Sequence, residues 1–191
     1  MKNFIVESDF TYRDYYCVIV FSSLGYRCGY VALPENHPLY GKKIRDKVKY
    51  LNKDMLDKDP GKRSPIQVLL HTSEMQENPD DEVTLGFFFN VHGGITYAES
   101  GNNNYPVPKE NVWWIGFDCG HSSDKIDIES LERLWGNDSE EVKSVISIEK
   151  HIKAHSSFWS KTVIRTTDFV RSELEDLVDQ IIDYTENCDK M

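Results

Sequence analysis

An α+β domain is predicted, with a mostly antiparallel sheet and helices packed on one face. Three observations lead there. Short runs rich in β-branched and aromatic residues recur along the chain. Glycine-, proline- and serine-marked turns separate them. The strongest amphipathic helix pattern stands near the carboxyl end, where it would cover a sheet.

The elements follow in order. The opening stretch MKNFIVESDFTYRD has no apolar signal core or cleavage site, and it is assigned no element. Tyr15–Phe21 (YYCVIVF) and Arg27–Leu33 (RCGYVAL) predict a hairpin joined through SSLGY. PENHPLYGK then makes a structured turn. Lys42–Asp59 places Ile44, Val48, Leu51 and Met55 at nearly helical steps among charges, predicting a short amphipathic helix that ends at PGKRSP. Ile66–Thr72 (IQVLLHT) reads as a strand and SEMQENPDDE as a loop. Val83–Glu99 is strongly β in composition, with a bulge or bend expected at Gly93 and Gly94. SGNNNYPVPKEN is an exposed loop. Val112–Asp118 (VWWIGFD) is a strand buried on both faces. IESLERLWG and SEEVKSVISIEKHIKAH have mixed helical periodicity, with Asp138 or Ser139 as a cap for the second. KTVIRT reads as a strand. The last helix is capped from Thr166, Thr167 or Asp168, and Phe169, Val170, Leu174, Leu177, Val178, Ile181 and Ile182 form its apolar stripe.

The 191 residues suit one domain, 1–191, with a helical and loop insert at 43–89. A formal net charge of -10 disfavours general nucleic-acid binding. The lysines and arginines at 42–49 and 62–63 read as solvated charges. No apolar run reaches the ~20 residues of a membrane helix, so no membrane partner and a cytosolic setting are expected. Cys17, Cys28, Cys119 and Cys188 form no CxxC pair, which argues for reduced thiols over a zinc finger or a redox motif. No internal repeat appears.

Two stretches carry polar groups at the ends of strands. In NVHGGITYAE, His92 precedes two glycines that let backbone N–H groups approach a ligand, and Thr96 adds a hydroxyl. In VWWIGFDCGHSSD, Asp118, Cys119, His121 and Asp124 follow an apolar strand. Asp118 is placed to orient His121. Cys119 reads as a small buried residue, because neighbouring strand side chains point to opposite faces. Two histidines with two carboxylates also have the chemistry of a metal site. No HxH or HExxH spacing supports one, so no metal and no cofactor are assigned. Trp113, Trp114, Phe117 and Tyr97 would supply aromatic walls.

Four blocks together resemble a family of small bacteriophage and prophage accessory proteins without an assigned function. They are GYVALPENHPLYGK, VHGGITY, WWIGFDCGHSSD and TTDFVRSELEDLVDQI. The chain departs from that pattern in the long insert between the first two blocks. The resemblance implies a phage origin and an accessory role, and it adds His37, on a proline-bracketed turn, to the candidate site.

The expected ligand-binding set is therefore His37, His92, Gly93, Gly94, Thr96, Trp113, Asp118, His121 and Asp124. The favoured expectation is sequestration of a small polar, nucleotide-derived signal of host immunity. The alternative is a hydrolase of a phosphodiester or glycosidic bond, with His92 and His121 as base and acid and Asp118 orienting one of them. A third is an acidic inhibitor of a host defence protein. Homo-oligomerisation stays open.

Overall fold

A computed structural model describes residues 3–49, 69, 82–101, 104–136, 139–155 and 161–188. It has the predicted α+β architecture, built on a five-stranded antiparallel sheet. The strands are β1 (Phe4–Tyr12), β2 (Tyr15–Ser22), β3 (Arg27–Pro34), β6 (Tyr97–Ser100) and β7 (Val112–Asp118), in the spatial order β1-β2-β3-β7-β6. A small second sheet pairs β4 (Lys47–Lys49) with β5 (Glu82–Thr84). The helices are α1 (Leu85–Phe88), α2 (Ile128–Trp135), α3 (Glu140–His155) and α4 (Thr167–Cys188).

Alternation along the strands builds two layers. Cys17, Ile19, Val31, Leu33, Ile115 and Phe117 face one way and pack with Val170, Leu174, Leu177, Val178 and Ile181 of α4. Gly29 makes that approach possible: a Cβ there would lie 2.9 Å from the Phe117 ring and 3.0 Å from Leu174. At the end of the same face, Phe21 packs with Leu131 of α2 and with Val142 and Val145 of α3. Val18, Val20, Cys28, Tyr30, Ala32, Val112 and Trp114 face the other way, where Tyr105 and Val107 of the 104–111 loop pack on them.

The hairpin of β2 and β3, the strand β7 and the three later helices stand where the sequence placed them. Ser139 caps α3 through a bond from the Val142 N–H, and Thr166 caps α4 through one from Phe169. Other expectations are corrected. The amino-terminal stretch is an edge strand. Its turn, Arg13-Asp14, has both residues at positive φ, 46° and 69°, as a tight hairpin turn requires. Of the helix expected over Lys42–Asp59, the described part is a turn followed by β4, held by pairing with β5. The rest lies outside the described residues, as does the Ile66–Thr72 strand apart from Leu69. The long strand expected over Val83–Glu99 is instead β5, one turn of helix, a loop and β6. Its apolar residues Leu85, Phe88, Phe89, Val91 and Ile95 are buried in the core without joining a ladder. The expected KTVIRT strand is reduced to one parallel bridge, Val163 to Asp124.

A buried guanidinium ties these layers together. Arg27 on β3 donates to both oxygens of Glu7 at 2.7 and 3.1 Å and to Asp127 at 2.8 Å. It also donates to the Arg165 carbonyl and lies 4.9 Å from the Phe21 ring centroid. One side chain thus joins β1, β3, the start of α2 and the segment leading into α4.

Candidate functional site

The site forms where three segments meet beyond the carboxyl end of β7. A tight turn follows that strand: Asp124 N–H donates to the His121 carbonyl at 2.9 Å, and His121 N–H donates back to Asp124 Oδ2 at 3.0 Å. The bridge then draws in the second segment. Lys125 N–H donates to Val163 O and Val163 N–H to Ser123 O, at 3.0 and 3.1 Å. Arg165 lies two residues further on, and its Nε donates to Asp124 Oδ1 at 2.8 Å.

The third segment is the loop that carries His92. Helix α4 grips its main chain. Glu173 Oε2 accepts the His92 N–H at 2.9 Å, while Gln180 accepts from Asn90 N–H at 2.8 Å and donates to Asn90 O at 3.1 Å. Gly93 and Gly94 hold φ of +72° and +77°, a region that glycine enters without cost. A Cβ on Gly93 would lie 2.0 Å from His121 Cε1, so the imidazole rests directly on bare main chain.

Asp124 is the centre. Its side chain is 2% exposed. Oδ2 meets His92 Nε2 at 2.8 Å and lies 3.4 Å from His121 Nδ1. The second contact lacks hydrogen-bond alignment, so His121 Nδ1 is buried without a hydrogen-bond partner. The two imidazoles sit edge to face with centroids 5.3 Å apart, and His92 packs likewise on Phe169 at 5.4 Å. Arg165 lies over that same Phe169 ring.

Burial acts to raise the Asp124 pKa, but contacts from His121, His92 and Arg165 outweigh it and hold the carboxyl well below its ordinary range. Asp124 is therefore an anion at neutral pH, and His92 presents its Nε2 proton to it. The Asp124 contact pushes His121 above its ordinary pKa, with partial burial opposing. Burial pushes the Cys119 thiol far up, and the Asp124 charge adds to this. Cys119 is thus the small buried residue expected, with no thiolate to offer.

A cavity of about 840 Å³ opens beside the cluster. His121, Ser122, Ser123 and Asp124 line one side, and Leu24, Tyr26 and Ile126 form apolar wall. Val145, Ile148 and Glu149 of α3 line it too, with Lys125 and Lys161. Glu149 is 3% exposed, and its Oε1 has no hydrogen-bond partner. Burial raises its pKa against the pull of Lys125 and Lys153.

Of the expected set, His92, His121 and Asp124 come together, with Gly93 and Gly94 adjoining them. The other four are placed elsewhere. His37 is buried against the far end of α4, where its Nε2 meets Thr185 Oγ1 at 2.9 Å. Thr185 is twelve residues beyond Glu173, which is about 18 Å along a helix. Thr96 is exposed, and its N–H continues the sheet by donating to Gly116 O. Trp113 is packed in the core with its Nε1–H donated to Lys42 O. Asp118 belongs to the opposite face of β7 from Cys119 and accepts the Gly120 N–H at 2.9 Å. Asp124, not Asp118, is the carboxylate that orients the imidazoles. Tyr97 and Trp114 pack on the face away from α4 and Phe117 in the core, so none of the four expected aromatics lines the cavity, where Tyr26, not anticipated, supplies an aromatic ring.

Arg165, Glu173 and Glu149 were not anticipated. The two glutamates had a signal: each falls at a helical step within an apolar stripe, Glu173 between Val170 and Leu177, and Glu149 after Val142 and Val145. A carboxylate there is buried and must meet a partner or a ligand. Arg165 had none, because 41 residues separate it from Asp124.

Among the described residues, no helix is long and apolar enough to cross a membrane. Comparison with protein-family models, curated proteins and solved structures finds no match.

Proposed function

We propose that the cavity beside Asp124 binds a small polar ligand with an anionic group, of the nucleotide-derived class. We propose further that the protein sequesters it, as a phage accessory protein acting in the host cytosol. The observation that carries this reading is the composition of one cavity. Lys125, Lys161, His121, Ser122 and Ser123 offer cationic and hydroxyl groups to a phosphate. Tyr26, Leu24, Ile126 and Ile148 offer apolar surface to a planar base. A volume of about 840 Å³ is ample for a nucleotide, and buried Glu149 supplies an acceptor for an exocyclic amine. Calorimetric titration with a panel of mono-, cyclic and oligonucleotides tests it. Binding should be micromolar or tighter, weakened at least about tenfold in His121→Ala, with the ligand recovered intact after denaturation. Absence of binding across the panel overturns the reading.

The 2.8 Å contact between His92 Nε2 and Asp124 favours a second reading, hydrolysis. An oriented imidazole pair beside a cavity suits general acid–base work. Recovery of a cleaved product in the same titration selects it over sequestration.

A further inference from the structure

We infer that His92, His121 and Asp124 form a binding site for one divalent first-row transition ion of the zinc type. One ligand atom from each lies within 4.8 Å of the other two. The spacings are close to those of a coordination shell. With ligand distances of 2.0–2.1 Å, a tetrahedron has edges of about 3.3 Å. The Asp124 Oδ2 separations here are 2.8 Å to His92 Nε2 and 3.4 Å to His121 Nδ1. The two edges at Asp124 thus lie within about half an ångström of such a shell, and the ligand atoms of the two imidazoles lie within 4.8 Å of each other.

Hydrogen bonding points the same way. His121 Nδ1 is a buried nitrogen without a hydrogen-bond partner, aimed at an ionised carboxylate it does not bond. Such an atom is costly unless its lone pair is used. Coordination uses it. At His92 the ion would take the Nε2 lone pair, with the ring proton moving to Nδ1. The surrounding groups hold these ligands in place. Arg165 fixes Asp124 by its other oxygen, leaving Oδ2 as a single donor, and Glu173 anchors His92 through its N–H. Two imidazoles with one carboxylate select zinc-type ions over calcium or magnesium. His121 and Asp124 also line the cavity, so the remaining coordination positions have room for water or a ligand beside them.

The Arg165 charge weakens attraction for a cation, so the expected affinity is micromolar rather than that of a structural zinc. Chelator-stripped protein is titrated with Zn²⁺ by calorimetry and with Co²⁺ by visible absorption, without nucleotide. A negative result for metal therefore leaves the ligand-binding reading standing. One ion per chain is expected, with the intense ligand-field bands of four- or five-coordinate Co²⁺. Affinity should fall by at least about tenfold in His121→Ala and in Asp124→Asn, and should be unchanged in His151→Ala, an exposed histidine. His121 is one-third exposed, so its variant reports even if Asp124→Asn fails to fold. Sub-stoichiometric binding by the parent protein overturns the site, as does equal affinity in His121→Ala.

Discussion

His37 and His92 are both buried, yet their surroundings ask opposite things of them. Each His37 nitrogen is committed in the neutral ring. Nδ1 accepts the Leu39 N–H at 3.1 Å, and Nε2–H donates to Thr185 Oγ1, whose own proton goes to Ile181 O. A second ring proton would face the Leu39 N–H, and burial alone lowers the His37 pKa to about 4. The folded value thus lies below the unfolded one. As pH falls the unfolded chain takes the proton first, so stability is lost between about pH 6.5 and 4 and is complete above that window. The full effect is on the order of 3 kcal/mol. Urea denaturation at about pH 7.5 and 4.5 checks it. His37→Gln should flatten the dependence relative to the parent protein, and parallel profiles would refute the assignment. His92 instead points its proton at an anion. His37 stands on a proline-bracketed turn and His92 before two glycines, but neither local context names the group its ring will meet. Only the partner decides, and the partners, Thr185 and Asp124, are remote in the chain.

At the scale of elements, the legible parts were those whose pattern repeats within one element. The hairpin, β7 and α4 each bury residues at their own period, so local alternation or helical steps sufficed. β1 failed that test because the polar residues Glu7, Ser8 and Asp9 interrupt it. The register also shifts between Val6 and Ser8, and the turn after it lacks glycine or asparagine. Val83–Glu99 failed for another reason: burial on the core was mistaken for membership of a ladder. What the glycines there do was half visible. Their positive φ was expected, but not that His121 would rest on them. Gly93→Ala should therefore act twice. It places a Cβ on the imidazole and strains the turn, at a cost of about 2 kcal/mol in thermal or urea unfolding. Helix α4 would still hold Asn90 and His92 by main-chain bonds, so far-ultraviolet dichroism should be unchanged while His121 loses its place. An unchanged His121 ring resonance in the variant would show that the packing is not as described.

For the whole molecule, the decisive geometry is the division of the cavity between two kinds of wall. Its Asp124 side continues directly from β7, an inner strand flanked by β3 and β6 and covered on both faces. Its Glu149 side belongs to α3, which meets the rest through the small cluster of Phe21, Leu131, Val142 and Val145. Of the nine proposed binding residues, three converged. A tight turn and a parallel bridge set His121 and Asp124, helix α4 holds the His92 loop against them, and such tertiary closures leave no periodic trace. The two walls should also separate in time. Amides of β7 will exchange with deuterium only on global unfolding, whereas those of α3 will exchange first, through local opening. An occupant of the cavity would then slow exchange in α3 far more than in β7, and that differential footprint would register occupancy without the occupant's identity being known.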